Sequence, residues 1–144
     1  MTDIEKAKQE LQKNSYSCVL IKGNKKYFSN KTGIAPLVEF IEDGVDLKDC
    51  VVADKIVGRA VAFLCAKIKA KQVYAEVLSE KAVEILNKYK IEFSYGVKAK
   101  EIINRSKTGI CPMEEVVLYI YDVETAYLKL KEKMEELKNK KTTV

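Results

Sequence analysis

The residues best suited to chemistry lie in one stretch, residues 104–115, Asn-Arg-Ser-Lys-Thr-Gly-Ile-Cys-Pro-Met-Glu-Glu. It reads as a polar loop that turns at Gly109 and runs into a helix. Pro112 suits the first helical position, where its missing N–H costs nothing and its φ is already helical. Cys111 then falls at the N-cap, beside backbone amides that have no partner inside the helix. A thiolate there would gain from the positive helix end and from Arg105 and Lys107 close in sequence. Two readings of Cys111 stay open, a nucleophilic or sulfur-carrying thiol and a buried N-cap residue. Glu114 and Glu115 read as acids that favour the start of the same helix.

Composition limits what that chemistry can be. The 144 residues contain no histidine, which removes Ser-His-Asp and Cys-His catalysis and any Cys/His zinc site within the chain. Bases and acids must be carboxylates, Lys, Tyr, Cys or water. The four cysteines, Cys18, Cys50, Cys65 and Cys111, form no C-x-x-C pair. The first three sit in apolar segments and read as small core residues. No metal and no cofactor are expected. The net charge of +5 rests almost wholly on lysine, with Arg59 and Arg105 the only arginines. Arginine is the residue suited to bidentate phosphate and base-edge contacts, so a nucleic-acid partner is not expected. Tyr119 and Tyr121 read as packing rather than a stacking platform. No apolar run is long enough to span a bilayer, and the N-terminus lacks a signal-peptide layout. A cytoplasmic protein with no membrane partner is expected.

The elements that must position these residues follow from periodicity. Residues 2–13 predict an amphipathic helix with capping-box spacing between Thr2 and Glu5. Residues 16–22 and 25–29 predict a hairpin about Gly23-Asn24. Pro36 starts a helix that Gly44 stops. Residues 50–53 read as a fully apolar strand, after which Asp54 caps a helix to about Ile68. Gly58 would let that first turn approach a neighbour closely. Residues 72–78 predict a strand, Ser79 caps the next helix, and residues 91–95 predict a strand ending near Gly96. Alternating strands and helices with short links read as right-handed βαβ crossovers. The expected class is α/β, a mixed sheet of about five strands with an N-terminal β-hairpin and helices on both faces. One domain over 1–144 is expected, with a C-terminal helix at about 122–138 and a short basic tail.

Five stretches carry a resemblance: Ser17-Cys18-Val19-Leu20, residues 51–60, residues 73–80, Ile103-Asn104-Arg105, and Gly109-Ile110-Cys111-Pro112-Met113-Glu114. With the element order, they make the chain similar to the cytidine-deaminase-like fold, a three-layer α/β/α arrangement. The likeness is closer to a small, functionally uncharacterised family of zinc-less members, a domain of unknown function. Cys-Pro-Met-Glu after the Thr108-Gly109 turn is the most specific motif. A true deaminase needs a zinc ligand and a proton-shuttling Glu at the start of its first core helix and two cysteines at the start of the next. Here Asp54-Lys55 and Ser79-Glu80-Lys81-Ala82 are read at those places, so zinc-dependent deamination is not expected.

The resemblance implies that Asp54, Lys55, Ser79, Asn104, Arg105 and Cys111 converge on one crevice beyond the carboxyl ends of the strands. Cys111 and Asp54 are then the catalytic candidates. Lys55, Ser79, Asn104, Arg105, Thr108 and Gly109 are the ligand-binding candidates. For Asp54 a base or ligand-orienting role stands beside a plain helix cap, and for Lys55 a phosphate contact stands beside an exposed lysine. Arg105 reads as a clamp for a carboxylate or phosphate. Ser79 reads most simply as a cap. The expected function is small-molecule binding, with an enzyme using Cys111 on a nucleotide-like or anionic ligand set against a non-catalytic binder or scaffold. A homo-oligomer is expected by analogy.

Overall fold

The computed structural model describes residues 1–103 and 109–142, with side chains described as far as residue 139. Helix α1 (Asp3–Lys13) begins with a reciprocal cap, Glu5 N–H donating to Thr2 Oγ1 and Thr2 N–H to the Glu5 carboxylate. Strands β1 (Cys18–Lys22) and β2 (Lys25–Ser29) form the expected hairpin, and Gly23 takes the φ of +57° that the tight turn demands. Helix α2 (Ala35–Glu42) follows. Then come β3 (Val51–Val57), α3 (Arg59–Lys67), β4 (Gln72–Ser79), α4 (Glu80–Lys88) and β5 (Glu92–Ala99). Helices α5 (Pro112–Val117) and α6 (Val123–Thr142) close the described chain.

The sheet order is β2-β1-β3-β4-β5, with β1 antiparallel to both neighbours and β3, β4 and β5 parallel. The fold is therefore α/β with a mixed five-stranded sheet, as the alternation of elements predicted. Side chains alternate across it. Val19, Ile21, Val51, Ala53 and Tyr74 pack under Ala7 and Leu11 of α1. The opposite parity, Cys18, Leu20, Val52, Val73 and Ala75, packs against α3 and α4. Helix α3 is the centre of that larger core. Every residue from Arg59 to Cys65 is buried, so its apolar side chains contribute about 1.5–3 kcal/mol each for the larger ones.

Three expected boundaries shift, each for a physical reason. Asp54 does not cap a helix; it lies inside β3, paired with Cys18 on one side and Ala75 on the other. Two flanking ladders and the β-branched Ile56-Val57 override the preference of aspartate for a cap. The N-cap of α3 is Gly58, which has no capping side chain. Strand β5 runs through Gly96 rather than ending there. A Cβ at that position would stand 2.9 Å from the Glu76 carbonyl oxygen, so glycine serves close strand approach. Helix α6 continues to Thr142, through a lysine-rich run that holds no breaker.

Candidate functional site

A cavity of about 380 Å³ opens at the carboxyl end of β3. Ser17, Thr32, Gly33 and Ile34 line one side, and Asp54, Lys55, Ile56 and Gly58 form the end of β3. Ala60 and Val61 of α3, with Ile102, Cys111, Met113 and Glu114, complete the wall. The lining is largely apolar, with two acids set into it. Its place matches the rule that open parallel sheets bind ligands beyond strand C-termini.

Asp54 is 6% exposed. Its Oδ1 accepts from Ile56 N–H at 3.2 Å, and the Cys18 thiol of the adjacent strand donates to the same carboxyl. Burial pushes its pKa up to about 7 against the opposing effect of these bonds, and the charge of Glu76 adds a smaller push. At neutral pH this carboxyl is poised to give or take a proton. Burial, then the Asp54 charge, also drives the Cys18 thiol far upward, which keeps it protonated as the donor.

Glu114 stands across the cavity and answers the missing cap of α3. Its Oε1 accepts from Arg59 N–H at 2.7 Å and its Oε2 from Ala60 N–H at 2.8 Å. A carboxylate from α5 thus closes the N-terminus of a different helix. Burial raises its pKa, opposed first by the Ala60 and Arg59 amides and then by the Arg59 charge. The Arg59 side chain, 3% exposed, ties the far end of α5 back to α3. Its Nε donates to the Val117 carbonyl at 2.8 Å and its Nη2 to the Ile120 carbonyl at 2.6 Å. Nη1 reaches Glu84 at 3.2 Å, and the guanidinium lies over the Tyr121 ring at 4.8 Å.

The close approach expected at Gly58 is made by Glu114: a Cβ there would lie 2.2 Å from Glu114 Oε1. The backbone at Gly58 is extended, so crowding alone excludes a side chain. Gly58→Ala is expected to cost about 2 kcal/mol, because the carboxylate must leave its two amides or the backbone must shift. Combined with Glu114→Ala, the loss should fall well short of the sum, which a denaturation double-mutant cycle measures. Additive losses would disprove the contact.

Cys111 is half-buried at the N-cap of α5, followed by Pro112 as expected. Its N–H donates to the Ile102 carbonyl at 3.0 Å, its carbonyl receives the amides of Glu114 and Glu115, and its thiol makes no capping bond. Lys55 is exposed at the rim and anchors its own amide on the Ser17 carbonyl at 3.1 Å. The structure therefore gathers Asp54, Lys55 and Cys111 around one cavity. Ser79 is not among the lining residues; it is fully buried and caps α4 by accepting from Lys81 N–H at 3.2 Å. Gly109 also lies outside the lining, beside the Ile103–Ile110 bridge. Asn104, Arg105 and Thr108 lie outside the described residues. Among the described residues no three His, Cys, Asp or Glu side chains gather around a metal position.

Sequence reasoning missed the cross-helix role of Glu114 and the whole Arg59 network. The faint signal was a helix start with glycine and no capping side chain, followed directly by an arginine on a face otherwise apolar.

No helix among the described residues is long and apolar enough to cross a membrane. No curated protein matches the chain by sequence. A crystal structure of a DUF1893 family protein (TM1506) from Thermotoga maritima is similar, with 28% identity and a TM-score of 0.83, covering 91% of this chain and 89% of that one. A diaminohydroxyphosphoribosylaminopyrimidine deaminase/5-amino-6-(5-phosphoribosylamino)uracil reductase from the same organism overlaps more loosely. It shares 16% identity at a TM-score of 0.42, over 65% of this chain and 34% of that one. A family model described as TM1506, domain of unknown function (DUF1893), matches residues 6–134. Spanning most of the sequence, that match shows that the chain belongs to the DUF1893 family.

Proposed function

We infer that this chain binds a small molecule in the cavity at the end of β3, with Asp54 holding its polar edge and Cys111 as the thiol beside it. The observation that carries the reading is a buried, bonded carboxyl at the wall of a largely apolar cavity. A ligand seated there meets the Asp54 carboxyl, while both Glu114 oxygens already accept from the Arg59 and Ala60 amides, so its enclosed part should be largely apolar with an N–H donor on the edge toward Asp54. An amidine-like edge, as on an aminated nucleobase, meets that need. Any anionic group would sit at the rim, toward Lys55. This refines the expected nucleotide-like ligand and argues against a bare anion in the interior.

The relation to zinc-less deaminase-like proteins belongs to the same proposal. Its support is the order of helix, hairpin and alternating strands, together with the residues that begin the core helices. Those starts are Gly58-Arg59-Ala60 for α3 and Ser79-Glu80-Lys81 for α4. Neither supplies the ligand pattern that zinc deamination requires.

A second reading, a binder without turnover, is favoured by Glu114. Its carboxylate fills the N-terminus of α3, one of the places where a deaminase would set reactive groups. One experiment separates the two readings. Thermal shift and calorimetry are run with cytosine and adenine nucleosides and their monophosphates on the native chain, Asp54→Asn and Cys111→Ser. Binding predicts a stabilisation of about 2.7 kcal/mol at a ligand concentration near 100 Kd, lost in Asp54→Asn. If Cys111 reacts, the native chain forms an adduct by intact mass and Cys111→Ser binds without one. If the protein only binds, both bind alike and neither is modified. The cavity reading fails if no nucleoside or nucleotide shifts the melting of the native chain.

A further inference from the structure

Strand β5 ends the sheet, and among the described residues nothing pairs with its outer side. The other edge, β2, is guarded by adjacent lysines, Lys25 and Lys26, a common defence against edge pairing. Strand β5 carries a single lysine, Lys98, toward its end, with its ammonium 6.0 Å from the centre of the Tyr95 ring. Tyr95 is 43% and Val97 62% exposed, on the face that also carries Phe93.

Backbone direction settles which groups are available. Glu92 N–H donates inward, to the Lys71 carbonyl at 3.2 Å, in the ladder that pairs Gln72 with Glu92. In a parallel ladder alternate residues point their N–H and C=O to the same side. Ser94, Gly96 and Lys98 therefore bond inward with Glu92, while Phe93, Tyr95 and Val97 present their backbone groups outward. We propose that two copies of this chain pair antiparallel along the outer edges of β5, about a two-fold axis at Tyr95, giving one continuous ten-stranded sheet.

Self-complementarity selects this register. About Tyr95, Glu92 faces Lys98 of the second copy and Lys98 faces its Glu92, so both ion pairs form within the strand. Phe93 meets Val97 twice, and the two Tyr95 rings lie side by side on one face, as favoured in cross-strand pairs. The outward backbone groups of Phe93, Tyr95 and Val97 all find partners in this register. Moving the axis to Ser94 carries Lys98 past the start of the partner strand, toward the turn at Lys90. Moving it to Gly96 sets Lys98 against Ser94 and carries Glu92 past the end of the strand. Such an isologous contact is closed, so it stops at two copies. A single strand pair is a small interface, so a concentration-dependent equilibrium follows rather than an obligate dimer.

Sedimentation equilibrium of the full chain, from about 1 μM to about 1 mM, tests this. The native chain should pass from monomer to dimer. Tyr95→Pro removes an outward N–H and spares every bond to β4, the position where an edge strand tolerates proline. It should weaken dimerisation at least about tenfold. Lys98→Glu and Glu92→Lys should each weaken it similarly, and the two together should restore it to within about threefold. A native chain that stays monomeric throughout overturns the proposal. So does a Tyr95→Pro dimer of unchanged affinity, or a double charge exchange that fails to recover pairing.

Discussion

Glu114→Ala is expected to lower the unfolding free energy by about 3–5 kcal/mol, the largest effect of any single substitution around the cavity. The Arg59 and Ala60 amides would lose their acceptor inside the protein, and each already donates at under 3 Å to a charged oxygen. The buried Arg59 guanidinium would lose its nearby negative charge as well, leaving exposed Glu84 as its acid. At this chain length the loss corresponds to a fall in melting temperature of roughly 10 °C. Glu114→Gln should cost far less, about 1 kcal/mol. An amide keeps one acceptor oxygen and avoids the expense of burying a charge, and that expense is what raises the Glu114 pKa. Urea denaturation at neutral pH with an unchanged m-value reads both variants. A Glu114→Ala loss under about 1 kcal/mol would mean that water satisfies the start of α3 and that α5 is not held in this way.

The same contact shows what a sequence can and cannot display. Local signals carried through where local physics decides. The capping box at Thr2 and Glu5, the Gly23 turn, the Ser79 cap and the Cys111-Pro112 helix start all sit where spacing put them. The alternation of strands and helices was enough for a mixed five-stranded α/β sheet. What failed was decided at long range. Asp54 has the chemistry of a cap, yet its neighbours in β1 and β4 make it a strand residue. Glu114 has the chemistry of a first-turn acid, yet it serves a helix that begins 55 residues earlier. Nothing in the neighbourhood of these residues encodes such pairings; they exist only once the sheet brings the elements together.

Asp54 carries the second large expectation, and its sign differs from that of an ordinary paired acid. Its carboxyl rises from 3.8 to about 7 on folding, chiefly through burial. Below the unfolded value both states hold the proton and stability is at its fullest. Between about pH 4 and pH 7 the unfolded chain releases the proton while the folded chain keeps it, so stability falls as pH rises. The total loss above the folded value approaches about 4 kcal/mol. Asp54→Asn keeps the shape and an oxygen for the Ile56 amide but cannot ionise. It should match the native chain near pH 4 and exceed it by a few kcal/mol at pH 8. The difference between the two stability curves isolates this group from Glu114, which trends the same way, and from Asp46 and Asp122, whose depressed values trend oppositely. A flat difference curve would show that Asp54 does not titrate in this range. If the slope is found, Asp54 weakens the fold at neutral pH although an isosteric amide would not. A perturbed acid of this kind at the wall of a cavity is what the proposed ligand site requires. Ligand that satisfies the carboxylate should then flatten the native pH curve toward that of Asp54→Asn.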